Sequence, residues 1–250
     1  MAVHRSGRAL EKAMDGDVLS LEDICSLLSL RDPVSLDELF ESARAVRKSN
    51  FGDSVYCYGF VYFSTHCRNN CSFCYYRRSN KEISRYRKSQ DDIIDLSTSL
   101  EDSGVHLVDL TMGEDPLLHN GKDCQNLIDL VDRVNREVKV PLMISPGVIP
   151  MDAFRGLKEA GADWFACYQE THNRGLFAKL RPDQDFDVRL SQKKWAMSSG
   201  MLAEEGIMIG VGESIADRAR SIQIMNELGV RQVRAMSFIP QCNTPMECRD

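Results

Sequence analysis

VYCYGFVYFSTHCRNNCSFC, residues 55–74, decides how this chain is read. Its first ten residues are aromatic, β-branched or small, a short apolar run of the kind that forms a buried strand. Three cysteines follow within eight residues, Cys67, Cys71 and Cys74, spaced CxxxCxxC. In parallel α/β folds the chemistry sits on loops at the C-terminal ends of strands, which is where this spacing puts the thiols. A cubane iron–sulfur cluster is normally held by four thiolates. Three from one loop leave one iron with a free coordination site, open to a small molecule. A structural zinc would instead close its tetrahedron with paired CxxC or histidine ligands. His66 is adjacent, but neighbours in sequence rarely converge on one metal, and inert thiols are the remaining alternative.

Outward from this loop the chain has a rhythm. VHLVDLT (105–111), VPLMISP (140–146), ADWFACYQE (162–170), MLAEEGIMIG (201–210) and VRQVRAMSF (230–238) read as further short strands. Helical patterns lie between most of them, with stripes at Ile93, Leu96 and Leu100 and at Leu127, Val131, Val134 and Val138. The first 50 residues read as helical, with Ser20 opening one apolar run and Ser35-Leu36-Asp37-Glu38 having the form of a capping box. Ser214-Ile215-Ala216-Asp217 has the same form, and Asn50-Phe51-Gly52-Asp53 reads as a turn. Alternating strands and helices imply parallel pairing through right-handed crossovers, and apolar strands imply a sheet covered on both faces. The expectation is an α/β fold, a parallel (β/α) TIM-type barrel of about six units over 53–250, preceded by an N-terminal helical extension over 1–52. A closed barrel needs eight units. The expected barrel is therefore incomplete, with an open edge, and turnover is expected to be weak or absent.

The chain has 250 residues and a formal charge of −6, an ordinary globular composition with no electrostatic footprint for nucleic acid. No apolar run is long enough to span a membrane, and MAVHRSGRALEKAM lacks the apolar core of a secretory signal. Nine cysteines with no export signal argue against a disulfide framework and for the cytoplasm. Cys25, Cys57, Cys124, Cys167, Cys242 and Cys248 are scattered, and most are expected to be small buried hydrophobes.

At the cysteine loop the chain resembles the radical S-adenosylmethionine (SAM) superfamily, whose signature is CxxxCxΦC with an aromatic at Φ, here Phe73. The resemblance implies one 4Fe–4S cluster on Cys67, Cys71 and Cys74, with SAM on the unique iron. One electron then cleaves SAM to a 5′-deoxyadenosyl radical, and a ferredoxin or flavodoxin is the implied donor. Other segments match in order. Met112-Gly113-Glu114-Asp115-Pro116 resembles the family's Gly-Glu segment, which holds the amino end of SAM. Glu170 in YQET and Arg189 in DFDVR match contacts to the methionine or ribose of SAM. Ser145 in MISPG is implied as a further cofactor contact, with Arg181 in KLRP as a helper. Gly206-x-x-x-Gly210-x-x-Glu213 resembles the family's GxIxGxxE segment, with Met208 where isoleucine is usual.

Two charges fall inside strands expected to be buried, Asp109 and Arg234. Burying an unpaired charge costs several kcal/mol, roughly, so each needs a partner or a ligand. They could pair with each other or with SAM. Facing a cavity, they would clamp a zwitterion, arginine on a carboxylate and aspartate on an amine. Within the superfamily, YFSTHCRNNCSFCYYRRSN, RYR (85–87), VDLTMGEDP, MISPG, YQETH and RAMSFIPQ are similar to the 3-methylornithine synthases of pyrrolysine biosynthesis. Biotin synthases and hydrogenase maturases are the related alternatives, acting on other small molecules. The resemblance implies an isomerase whose substrate is L-lysine. Hydrogen is removed from the γ-carbon, the Cα–Cβ bond fragments, and recombination with hydrogen return yields a methyl branch. The cofactor breaks the bonds, so no side chain is expected to be catalytic in itself.

Overall fold

The computed structural model describes residues 2–119 and 124–247. Its elements run in the order α1 (Ala2–Asp15), α2 (Leu21–Leu28), α3 (Pro33–Phe51), β1 (Tyr58–Ser64), α4 (Gln90–Asp102), β2 (Leu107–Met112), α5 (Gln125–Glu137) and β3 (Leu142–Ser145). They continue with α6 (Ala153–Glu159), β4 (Ala162–Ala166), α7 (Arg174–Leu180), α8 (Phe186–Ser198), β5 (Leu202–Ile209), α9 (Ile215–Leu228) and β6 (Gln232–Ser237). Two compact units divide the chain, Met1–Val55 with Glu213–Ile224, and Tyr56–Gly212 with Met225–Asp250. No helix among the described residues is long and apolar enough to cross a membrane.

In the first unit α1 packs against α2 and α3. Ser20 and Asp23 form a reciprocal capping box that opens α2. The box expected at Ser35 is not the start of α3. Asp32 is the cap, accepting the Ser35 N–H at 2.9 Å, and Pro33 fills the first turn, where its missing N–H costs nothing. Ser214 and Asp217 exchange the bonds of a capping box and open α9.

The second unit is a six-stranded parallel sheet in sequential order from β1 to β6. Side chains alternate across each strand, so one face meets the helices and the other lines the interior. On the helix side Val61 and Phe63 of β1, Val108 and Leu110 of β2, and Leu142 and Ile144 of β3 join one core with Leu127, Val131 and Val134 of α5. Phe154 and Phe165 meet edge to face at 4.9 Å within it. On the interior side lie Phe60 and Tyr62, Asp109 and Thr111, Ser145, and Arg234. The sheet curls enough for Arg234 on β6 to sit over the rings of Tyr58 and Phe60 on β1, 5.0 and 5.5 Å from their centroids.

Coverage on both faces holds for the middle strands and not for the last. Residues of β6 alternate between half-buried and exposed, and Val233 is 60% exposed. Leu96, placed on the buried stripe of α4 by its spacing, points outward, while Ile93 is buried. Of the scattered cysteines among the described residues, Cys124 and Cys167 are buried, Cys25 is half-buried and Cys57 and Cys242 are exposed. Cys248 lies outside the described residues.

Candidate functional site

The cysteine loop leaves β1 and is fastened by its own backbone. Ser72 donates to the Leu180 and Lys179 carbonyls, and the Arg78 N–H reaches the Asn69 carbonyl at 2.7 Å. Arg85 gathers the carbonyls of Thr65, Tyr76, Arg77 and Asn80. Beside it, Arg87 makes a two-pronged bond to the buried carboxylate of Asp115, at 2.6 and 2.9 Å. The two arginines of the RYR segment are therefore braces that fix the loop against the end of β2.

Cys67, Cys71 and Cys74 line a cavity of about 250 Å³ at the C-terminal ends of the strands. Phe73, Asp109, Glu114, Ser145, Glu170, Arg189 and Arg234 line the same cavity, so the ten residues expected to hold cluster, SAM or substrate meet in one place. Arg181, read from sequence as a helper, lines it too and is buried. Glu213 is held by Arg218 of α9, a local pairing at the start of that helix. Phe73 and Met208 both pack against a small apolar cluster of Leu180, Val211 and Met246, and the Arg181 guanidinium lies 5.3 Å from the Phe73 ring.

Two buried ion pairs cross the cavity wall, Arg181–Glu170 at 2.5 Å and Arg189–Glu114 at 3.3 Å. Glu114 also accepts from Arg68 at 3.0 Å and from the Val148 N–H at 3.0 Å. Burial works to raise its pKa, but Arg189, the Val148 N–H and Arg68 outweigh burial and hold the carboxyl below its ordinary value. Gly147 has φ +80°, and a Cβ there would fall 2.3 Å from Glu114 Cγ. Only glycine lets this carboxylate lie against the β3 loop. Glu170 is itself left-handed, at φ +66°, and is held so by bonds from its N–H to Gly206 and from the Met208 N–H to its carbonyl. Such backbone strain in a non-glycine residue persists only where the surroundings fix it.

The donor set fits a cluster with SAM. A cubane asks only for one thiolate per iron. The Cys71 sulfur already receives Gln184 Nε2 at 3.1 Å and Arg181 Nη1 at 3.4 Å, donors suited to a thiolate. Burial pushes the Cys74 thiol up to about 12 and raises Cys67 as well, so loading a metal must expel protons. Glu170 Oε2 is buried with no hydrogen-bond partner. Both oxygens of Glu114 have donors, so Glu170 carries the open oxygen that a ligand ammonium could fill.

At the far wall Asp109 accepts from Ser145 Oγ at 2.8 Å. Burial pushes its carboxyl up to about 7, the Ser145 bond pulls it down and the nearby Glu204 adds to the rise. Asp109 and Arg234 do not pair with each other. Arg234 Nε meets Glu204 Oε1 at 3.0 Å, and Tyr168 Oη donates to the same oxygen at 2.9 Å. Glu204 was hidden in MLAEEGIMIG, where two adjacent acids give no sign of being buried. Lys193 was also missed, and its fully buried ion pair with Glu205 at 2.6 Å ties α8 to β5.

The model of the Radical SAM superfamily matches residues 61–225. The chain is 41% identical to a 3-methylornithine synthase of Methanosarcina acetivorans over 247 residues, 99% of this chain and 70% of that protein. A crystal structure of methylornithine synthase superposes with a TM-score of 0.90 at 40% identity, covering 96% of this chain and 70% of that one. The FeFe hydrogenase maturase subunit HydE of Thermotoga maritima is 30% identical over 96% of this chain and 68% of its own length. The chain belongs to the radical SAM superfamily and, within it, to the 3-methylornithine synthase family.

Proposed function

We propose that this chain is a radical SAM isomerase that converts L-lysine to 3-methylornithine. Cys67, Cys71 and Cys74 hold a 4Fe–4S cluster, and Phe73, Glu114, Ser145, Glu170 and Arg189 hold SAM. When bound, these groups supply a carbon-centred radical that takes a hydrogen atom from the substrate. The protein's own work is retention. Arg234 binds the lysine carboxylate, and Asp109 accepts one of its ammonium groups with its second oxygen. Ser145 holds the first oxygen and fixes the direction of the carboxylate. Phe60, Tyr62 and Tyr168 wall the cavity, where fragments held by their charged ends stay within reach of each other. The observation that carries this reading is the shared cavity, in which the three thiols, an acid and an arginine meet.

The electron donor is a ferredoxin or flavodoxin, and the compartment is the cytoplasm. The test is anaerobic incubation of the reconstituted chain with SAM, a reductant and L-lysine, followed by chromatography and mass spectrometry. An isomer of lysine's own mass, formed only when SAM is present and in low yield because β6 leaves the sheet with an open edge, is expected. Consumption of SAM with lysine untouched would point instead to a maturase-like or biotin synthase-like enzyme with another small molecule as substrate.

A further inference from the structure

Arg234 is not left to find its own position. Its guanidinium lies 5.0 Å from the ring centroid of Tyr58 and 5.5 Å from those of Phe60 and Tyr168. Three aromatic faces around one cation make a cage that fixes where the charge sits but leaves the plane of the fork free. One carboxylate, Glu204, forms an ion pair with Arg234, Oε1 lying 3.0 Å from Nε, and the second oxygen of Glu204 is also buried with no hydrogen-bond partner. Glu204 has no solvent exposure and does not line the cavity. It is fixed in turn by Tyr168, whose hydroxyl donates to the same oxygen that Arg234 uses. Tyr168 can approach this closely because residue 206 has no side chain: a Cβ there would meet the Tyr168 ring at 3.0 Å and Met236 Cε at 3.2 Å. Arg234 Nη2 is buried and has no hydrogen-bond acceptor. A charged donor left so is costly, and a carboxylate oxygen of a bound ligand would satisfy it.

We propose that Glu204 is the positioning residue for Arg234, locking the guanidinium so that its unused donor meets the substrate carboxylate, and so sets selectivity for an amino acid over the corresponding amine. This rests on Arg234 being the carboxylate anchor of the lysine site. Glu204 touches neither substrate nor cofactor, and its effect reaches the ligand only through Arg234.

The experiment is equilibrium binding of L-lysine and of cadaverine, which is lysine without its carboxylate, to the reconstituted chain with SAM, by calorimetry. Glu204→Gln should weaken lysine at least tenfold and leave cadaverine within twofold. Arg234→Lys should do the same, and the double variant should be no weaker than Arg234→Lys alone, because both changes remove one interaction. SAM affinity, measured on each variant, reports that the fold survives. If Glu204→Gln does not fold, Tyr168→Phe removes one of the two bonds holding the arrangement and should weaken lysine, again sparing cadaverine. Arg234→Lys weakening lysine while Glu204→Gln or Tyr168→Phe leaves it unchanged would overturn the role of Glu204 alone. Equal loss of lysine and cadaverine in Glu204→Gln would also overturn it, by showing a general structural effect. Unchanged lysine binding in Arg234→Lys would overturn the anchor reading beneath it.

Discussion

Replacing Asp109 by asparagine removes a carboxyl that burial has pushed from 3.8 up to about 7. The consequence for stability has a definite sign. In the unfolded chain the acid ionises near its ordinary value, whereas the fold keeps it protonated over the next three pH units or so. The stability this gives is fully present below the unfolded pKa and is lost as pH rises through that window to about 7. At about 1.4 kcal/mol per unit, the whole loss comes to about 4 kcal/mol. Somewhat more than a third of it has accrued by about pH 5 and nearly all of it by about pH 8. The stability of Asp109→Asn relative to the parent should therefore rise by about 3 kcal/mol between those two values. Glu204 is raised to about 7 by burial and titrates in the same range, so the pair shares protons and the gap is an upper bound. Urea unfolding of the metal-free chain under reductant, at both pH values, measures it. Adding L-lysine at the higher pH should narrow the gap, because an ammonium partner offsets the cost of ionised Asp109. A gap that stayed constant with pH would refute the claim that Asp109 is held in a dry, unpaired setting.

Cys71→Ser removes a thiol of the cluster set, and iron and labile sulfide per chain should fall to background in anaerobic reconstitution; retention of both would count against the three-thiolate assignment. Gly147→Ala would place a Cβ on the Glu114 side chain in a left-handed backbone, so a loss of about 1–3 kcal/mol and weaker SAM binding are expected by denaturation and calorimetry. Lys193→Met would leave Glu205 charged and buried, at a cost of about 3–5 kcal/mol, whereas Lys193→Met with Glu205→Gln, which keeps an acceptor for the Gln169 and Gly206 N–H groups, should recover part of it. Equal destabilisation in the single and double variants would show that the lost charge is not the cause.

The fold was legible where a strand announces itself by an apolar run and a loop by its chemistry. The strand of 55–64 and the thiols behind it needed only residue type and spacing, because the end of a parallel strand is where such loops gather. Asp109 and Arg234 could be placed in the interior because a charge within an apolar strand is too costly to bury without a partner or a ligand. Glu204 and Glu205 could not be read. On a parallel strand both faces are buried, so adjacent acids go to opposite sides, one to Arg234 and one to Lys193, and neither partner lies nearby in sequence. Ser35 had the pattern of a cap, but Asp32 with Pro33 offered a better one three residues earlier. Leu96 fell on the apolar spacing of a helix whose outer flank turns to solvent. Arg181 was undervalued because its role comes from contacts with Glu170, Cys71 and Phe73 across distant loops.

The most direct measurement is an anaerobic crystal structure of the reconstituted chain with SAM and L-lysine. The lysine carboxylate should lie within hydrogen-bonding distance of Arg234 and an ammonium against Asp109, inside the cavity that the three cysteines share. Lysine bound elsewhere, or in that cavity with its carboxylate turned away from Arg234, would contradict the account.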